Sequence, residues 1–248
     1  MPPDANEALP NGPPRQFATT QWSIVLAAGG REKKLAGDAL ARLCESYWYP
    51  LYAYVRQRIP HVHEAQDLTQ AFFVYLLDKQ TIAHADPNRG RFRAFLLTAL
   101  KNFLANEWDK ARAAKRGGER SPLSLDLYSG ESKFQIEPSH DLTPERLYER
   151  RWVLTLLDQV LETLRGELIQ AGKEDYFESF KGAITQEATA EDYDKAAQAL
   201  GLSPAATKQA AYRLRKRYRE LFRAEVARTL SADENLDLEI SRLLECLG

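Results

Sequence analysis

The sequence is poor in cysteine: it has two, Cys44 and Cys246, and they lie far apart. So few cysteines exclude a disulfide scaffold, and their separation does not suit a zinc site with four ligands. No apolar stretch approaches the roughly 20 residues that a membrane-spanning helix needs. The first sixteen residues hold five prolines and no apolar core, so they do not resemble a secretory signal. We therefore expect a cytoplasmic protein without membrane insertion.

Signatures of catalysis are equally scarce. The sequence has no Gly-rich phosphate loop, no Ser/His/Asp order and no metal-binding helix motif. Its many carboxylates form no specific pair, and His61 and His63 lack the second pair of ligands that a metal site would need. We therefore expect no enzymatic activity, no cofactor and no metal site.

Positive charge is concentrated in two segments, although the net charge of the chain is only -1. Residues 89–120 contain nine Lys or Arg against three acids, and residues 205–228 contain eight against two, so each segment carries +6. The rest of the chain is correspondingly acidic. Two basic segments in an acidic chain indicate two contacts with a polyanion. The alternative is two solvated helical faces.

Apolar residues recur at helical spacing through most of the chain, and no convincing pair of strands is present, which predicts an all-α fold. Pro50 is expected to kink or split the first of the long helices. These helices are predicted at about residues 35–59, 64–77, 91–116 and 147–165.

The prolines and the charge pattern divide the chain into domains. Residues 1–16 are too Pro-rich and polar to pack, so we expect a disordered tail. Residues 117–145 contain three prolines, little periodicity and a net charge of -4, which predicts an acidic flexible linker. This linker would join two small helical domains, residues 17–116 and 146–230. Residues 231–248 are expected to form an acidic C-terminal helix.

The clearest local motif is a helix-turn-helix pattern around Gly201. This glycine supplies a tight turn, and Ser203 and Pro204 are a typical N-cap and first helical residue. The helix that follows carries small residues first and basic residues later, which suits entry into the major groove with cations on the phosphates. A capped helical hairpin without a nucleic-acid role is the alternative.

The loop at residues 86–91 and the helix after it combine aromatic residues with Arg and Lys. Rings stack on unpaired bases while cations follow the backbone, so this combination is typical of single-strand binding. Asn102 and Asn106 carry amides suited to base edges, and Trp108 is the ring expected to be exposed. Most of the other aromatics keep core spacing, so a structural role for the helix is the alternative.

A third feature lies on the predicted helix at residues 64–77. Asp67, Gln70 and Phe73 share a face that the core does not need. A polar face with one large aromatic residue suits a protein partner. The alternative is an ordinary solvated face.

Taken in order, these segments resemble an extracytoplasmic-function (ECF) sigma factor of bacterial RNA polymerase. Residues 36–116 look like sigma region 2, and residues 193–220 look like region 4. The resemblance implies two partners, core RNA polymerase and promoter DNA, the latter both as duplex and as melted strand. It implies promoter recognition and opening without catalysis. A regulator protein, inhibitory or activating, is a further partner that the family allows.

The resemblance also assigns roles to individual residues. The polymerase-binding residues would be Asp67, Leu68, Gln70 and Phe73. Those at the minus-ten promoter element would be Asn88, Arg89, Arg91, Lys101, Asn102, Asn106, Trp108 and Arg112. Those at the minus-thirty-five element would be Ser203, Ala205, Lys208, Gln209, Arg213, Arg215 and Arg217.

Two positions of the second basic segment depart from the family pattern. Ala206 and Ala210 stand where the recognition helix commonly has Thr and Arg, so readout would rely on Lys208, Gln209 and Arg213. A stand-alone helix-turn-helix regulator, which would bind duplex DNA without polymerase, stays open as an alternative. A purely protein-binding adaptor would leave both basic segments unexplained.

Overall fold

The computed structural model describes Val25 and residues 33–78, 81–113, 127–136, 142–186, 188–231 and 234–248, and every regular element in these ranges is helical. The all-α prediction is therefore confirmed. Two short 3-10 turns, Thr81–His84 and Pro87–Arg89, precede the third long helix. The α-helices of the described ranges are α1 (Lys33–Arg58), α2 (Val62–Asp78), α3 (Phe92–Ala113), α4 (Leu127–Ile136), α5 (Pro144–Gln170), α6 (Glu174–Thr185), α7 (Ala190–Leu200), α8 (Pro204–Ala227) and α9 (Leu236–Glu245). Within the same ranges, no helix is both long and apolar enough to cross a membrane.

The described residues fall into two compact units. The larger unit consists of the residues up to Leu156 together with Val226–Gly248, and the smaller unit consists of Leu157–Glu225. The segment predicted to be a helix-turn-helix lies in the smaller unit, whereas α9 belongs to the larger one. These limits differ from the expected domains, because the C-terminal segment returns to the larger unit. The tail predicted at residues 1–16 lies outside the described residues.

The core of the larger unit is formed by the apolar faces of α1, α2 and α3. Helix α1 packs against α2, and α2 packs against α3. The buried ring of Tyr47 meets that of Phe92 edge-on, with 5.6 Å between the ring centroids. The ring centroids of Phe72 and Phe103 are also 5.6 Å apart. Burying a side chain of this size contributes about 1.5–3 kcal/mol. Helix α1 is not split at Pro50, because this packing outweighs the one backbone hydrogen bond that proline removes.

Helix α4 lies inside the segment predicted to be a flexible linker, and it packs against α1. Arg56 donates two hydrogen bonds to the Glu131 carboxylate, at 3.0 and 3.2 Å, and the Tyr52 hydroxyl donates a third. A Cβ on Gly130 would lie only 2.7 Å from a ring carbon of Trp48, so glycine allows the close approach. This part of the linker is therefore helical and packed, which its short apolar pattern did not predict.

The smaller unit contains two capped helices, α7 and α8, joined by the tight turn that the sequence predicted at Gly201. Thr189 caps α7 through its hydroxyl oxygen, which accepts from the Asp192 N–H, and the Asp192 carboxylate accepts in return from the Thr189 N–H. Gly201 ends α7 with φ 65°, in the left-handed region that favours glycine. The Ser203 hydroxyl oxygen accepts from the Ala206 N–H at the start of α8.

Candidate nucleic-acid interface

The loop before α3 is a capped turn that presents polar groups to solvent. The Asp86 carboxylate accepts from the backbone N–H of Asn88 at 2.9 Å and from its side-chain amide at 3.1 Å. Gly90 has φ 113°, where a side chain would be strained. The Arg89 side chain is 84% exposed. The loop therefore holds Asn88 and Arg89 in solvent immediately before α3.

Helix α3 buries its apolar face and exposes a polar one. The predicted minus-ten residues Lys101, Asn102 and Asn106 are exposed, and the Trp108 ring is 38% exposed. All four lie within two turns on the solvent-exposed side of α3, where Lys101 and Trp108, seven residues apart, are nearly in line along the helix. We call these four side chains the α3 surface. Arg112 lies in α3, but its side chain is outside the described part of the structure.

Arg58, at the C-terminal end of α1, joins the α3 surface, although the sequence prediction missed it. Its guanidinium carbon lies 5.8 Å from the centroid of the Trp108 ring and 5.3 Å from that of Tyr54, whose hydroxyl accepts a hydrogen bond from Arg58. A cation beside an exposed ring combines charge with a stacking face, as single-stranded nucleic acids require. No local motif indicates Arg58, because only the fold brings it to Trp108.

Lys101 forms an ion pair within the larger unit. Its ammonium nitrogen lies 2.7 Å from a Glu145 oxygen, and this hydrogen bond holds the pKa of Glu145 below its usual value. Both side chains are exposed, and exposed pairs of this kind contribute only about 0–1 kcal/mol. Glu145 therefore holds Lys101 only weakly.

Arg91, another predicted DNA contact, is paired with two acids of the C-terminal segment. Its Nη2 lies 2.6 Å from a Glu239 oxygen, and its Nε lies 3.0 Å from a Glu234 oxygen. The sequence prediction placed these acids in an acidic helix without assigning them a partner. Arg91 is therefore engaged within the larger unit, in contrast to the exposed Arg89.

The first turns of α8 expose most of the residues predicted to read duplex DNA. Ser203, Ala205, Lys208 and Gln209 are exposed, and Arg213 is half-buried. Tyr212, which the prediction did not include, is 61% exposed and lies one turn after Lys208. The sequence could have indicated Tyr212, because it lies four residues after Lys208 and so falls on the same side of the helix. Lys208, Tyr212 and the exposed Lys216 follow one another at four-residue spacing, and we call them the α8 ridge.

Arg215 and Arg217, which were predicted to contact DNA, are engaged inside the smaller unit. Arg215 donates to the Ala183 carbonyl at 2.6 Å. Arg217 donates to both oxygens of Glu167, at 2.9 and 2.6 Å, and these hydrogen bonds hold the pKa of Arg217 above its usual value. The two guanidiniums therefore attach α8 to α6 and α5, which a count of basic residues does not reveal.

The predicted partner-binding face of α2 is only partly exposed. Asp67 is exposed, whereas Leu68 and Gln70 are half-buried. Phe73 is 2% exposed, and its ring lies 6.1 Å from that of Phe72 in the core. The prediction that Phe73 faces outward is wrong, because the core covers a wider arc of α2 than a single stripe.

The described residues contain no group of His, Cys, Asp or Glu suited to hold a metal ion. Cys44 is buried on α1, as its position on the apolar stripe predicted, and burial raises the pKa of its thiol to about 12. This thiol is therefore protonated at neutral pH and is a poor nucleophile.

Comparison with known protein families gives one match. Residues 43–114, which contain the α3 surface, Arg58, Asp67 and the loop before α3, match the family model described as Sigma-70 region 2. No curated protein and no solved structure matches the chain. This part of the chain is therefore similar to region 2 of sigma-70 family sigma factors, and it includes the α3 surface, one of the two candidate DNA-binding surfaces.

Proposed function

We propose that the chain is a sigma factor of the ECF type, which binds core RNA polymerase, recognises promoter DNA and holds the melted strand as transcription begins. One observation carries the proposal. The segment similar to sigma-70 region 2 exposes two amides, an indole and the Lys101 ammonium along α3, with the Arg58 guanidinium beside the indole. Such a role needs no catalysis by the chain itself, and it places the protein in the cytoplasm with the chromosome.

The α3 surface stabilises an open promoter through stacking and charge. Opening duplex DNA costs about 1.4 kcal/mol per base-pair step. An unpaired base that stacks on Trp108 gains about 1–3 kcal/mol. Arg58 and Lys101 attract the phosphates of the same strand, and Asn102 and Asn106 offer hydrogen bonds to base edges. A few such contacts therefore offset the opening of two or three base pairs. Asn88 and Arg89 extend this surface into the preceding loop.

The α8 ridge reads duplex DNA in our proposal, as a region 4-like module at the minus-thirty-five element. Lys216 contacts a phosphate, and Lys208, Gln209, Tyr212 and Arg213 reach the groove. Each of the two DNA contacts is weak alone, but both bind together when polymerase holds them on the same promoter, because the second contact becomes intramolecular. A regulator protein would act by covering either surface.

Polymerase binding depends on the exposed carboxylate of Asp67 in our proposal. We expect Asp67→Ala to weaken binding of core RNA polymerase roughly tenfold, about 1.4 kcal/mol, because one exposed charge contact is lost. Surface plasmon resonance, with immobilised polymerase and the full chain in solution, measures the affinity. Glu45→Ala, which removes an exposed acid from α1, is the matched control and should leave the affinity unchanged.

An affinity for polymerase that is equal in the Asp67→Ala variant and in the wild type would refute this docking site. Absence of binding by the wild type, together with tight binding of duplex DNA, would instead favour the stand-alone regulator. The two failures are therefore distinguishable in one set of titrations.

A further inference from the structure

The C-terminal segment places two carboxylates against two arginines at the start of α3. Glu239 has no solvent exposure, and its two oxygens contact Arg91 and Arg93. Glu234 adds a second carboxylate to Arg91 at 3.0 Å. Two positive charges therefore face two negative charges, and the cluster is electrically balanced.

The two arginines differ in their surroundings. The guanidinium of Arg93 is buried and lies 4.6 Å from the centroid of the Trp152 ring. The backbone of Arg93 is held as well, because its carbonyl accepts a hydrogen bond from the Tyr148 hydroxyl. Arg91 is 19% exposed and directly follows the solvent-exposed loop. Arg93 is therefore part of the core, whereas Arg91 lies at the border between the core and the candidate DNA surface.

The contact on Arg91 belongs to a well-formed helix end. Asn235 caps α9 by accepting from the N–H groups of Asp237 and Leu238. Glu239 lies in the first turn, where the helix dipole favours a negative charge. Leu243 is buried, and Arg242 forms an ion pair with Glu149 at 2.8 Å. The helix is thus held at several points, and the pairing with Arg91 is one of them.

Glu234 is the exchangeable member of the pair on Arg91. Its side chain is a quarter exposed, and its other oxygen accepts from the Ser231 N–H at 2.9 Å. Partial burial opposes ionisation, but the Ser231 hydrogen bond and the Arg91 charge outweigh it, so the pKa of Glu234 lies below its usual value. Glu234 is therefore charged at neutral pH and competes with any other anion for Arg91.

We propose that the segment from Glu234 to Glu245 is an internal competitor of DNA, which restrains strand binding by neutralising Arg91. A phosphate of the strand must displace Glu234 and share Arg91 with Glu239 before the contact at the start of α3 can form. The inference rests on the proposed function, because it assigns a regulatory role to the edge of the strand-binding surface.

The test measures binding of the full chain to a fluorescent (dT)20 strand by anisotropy at low salt. We expect Glu234→Gln to bind about threefold more tightly than the wild type, and Glu234→Gln/Glu239→Gln about tenfold more tightly, because Arg91 becomes available to phosphate. The slope of log affinity against log salt should steepen by about 0.7. Adding Arg91→Ala should cancel both gains. Glu245→Gln, which removes an exposed acid from the same helix, should have little effect.

Weaker or unchanged binding by Glu234→Gln overturns the proposal. This single variant keeps the test decisive if the buried Glu239→Gln change unfolds α9, which circular dichroism reports. If Trp108→Ala binds the (dT)20 strand as tightly as the wild type does, the proposed strand site itself is wrong. If Trp108→Ala lowers the affinity for (dT)20 but Glu234→Gln does not raise it, only the proposed restraint by the C-terminal segment is wrong.

Discussion

Trp108→Ala is expected to slow promoter opening by roughly 5- to 150-fold, because the loss of one stacked base costs about 1–3 kcal/mol. Asn102→Ala should slow it less, roughly 2- to 10-fold, since it removes one hydrogen bond. Fluorescence of 2-aminopurine in the minus-ten element reports opening by the assembled polymerase. The effect on binding of closed duplex DNA should be small for both variants.

The conservative variant Trp108→Phe separates stacking from structure. It keeps a ring on the α3 surface, so opening should recover most of the wild-type rate. The Trp108 ring is partly exposed, so Trp108→Ala should melt close to the wild-type temperature. Opening by Trp108→Ala at the wild-type rate would show that the indole does not contact the strand.

Lys216→Ala and Arg217→Ala change neighbouring residues of α8, but we expect the first to lower the affinity for duplex DNA and the second to lower the stability of the smaller unit. Lys216 belongs to the exposed α8 ridge, so its loss should weaken all duplex sequences alike and reduce the salt slope by about 1. Arg217→Ala should lower the stability of the smaller unit by about 1–3 kcal/mol, because it leaves the partly buried Glu167 without its two hydrogen bonds. Urea denaturation and duplex titrations measure the two effects.

A double variant provides the control for Arg217. Glu167→Ala/Arg217→Ala removes both charges, so its loss of stability should be smaller than the sum of the two single losses. A large loss of duplex affinity in Arg217→Ala with unchanged stability would mean that Arg217 contacts phosphate after all.

Local patterns predicted the elements whose signals lie within a few residues. The spacing of apolar residues predicted the long helices α1, α2, α3 and α5, and Gly201, Ser203 and Pro204 predicted the turn and the start of α8. The exposed ring of Trp108 was predicted because it falls outside the apolar stripe of α3. In each case the determining interaction is local, so the sequence contains it.

Contacts between distant residues were beyond the sequence prediction. Phe73 is buried because two other helices surround α2, and Glu239 meets Arg91 because the C-terminal segment returns to the larger unit. Arg217 was counted as a DNA contact because its charge was visible and its partner, Glu167, was not. A single sequence indicates which residues are charged, but only the fold decides which charges are already paired.

Run-off transcription with purified core RNA polymerase tests the central claim most directly. The account predicts that adding the chain to core polymerase produces transcripts from defined start sites on linear fragments of genomic DNA from the source organism. It also predicts that Trp108→Ala lowers their yield on duplex templates. Transcription no greater than that of core polymerase alone, with the chain binding duplex DNA unaided, would contradict the account.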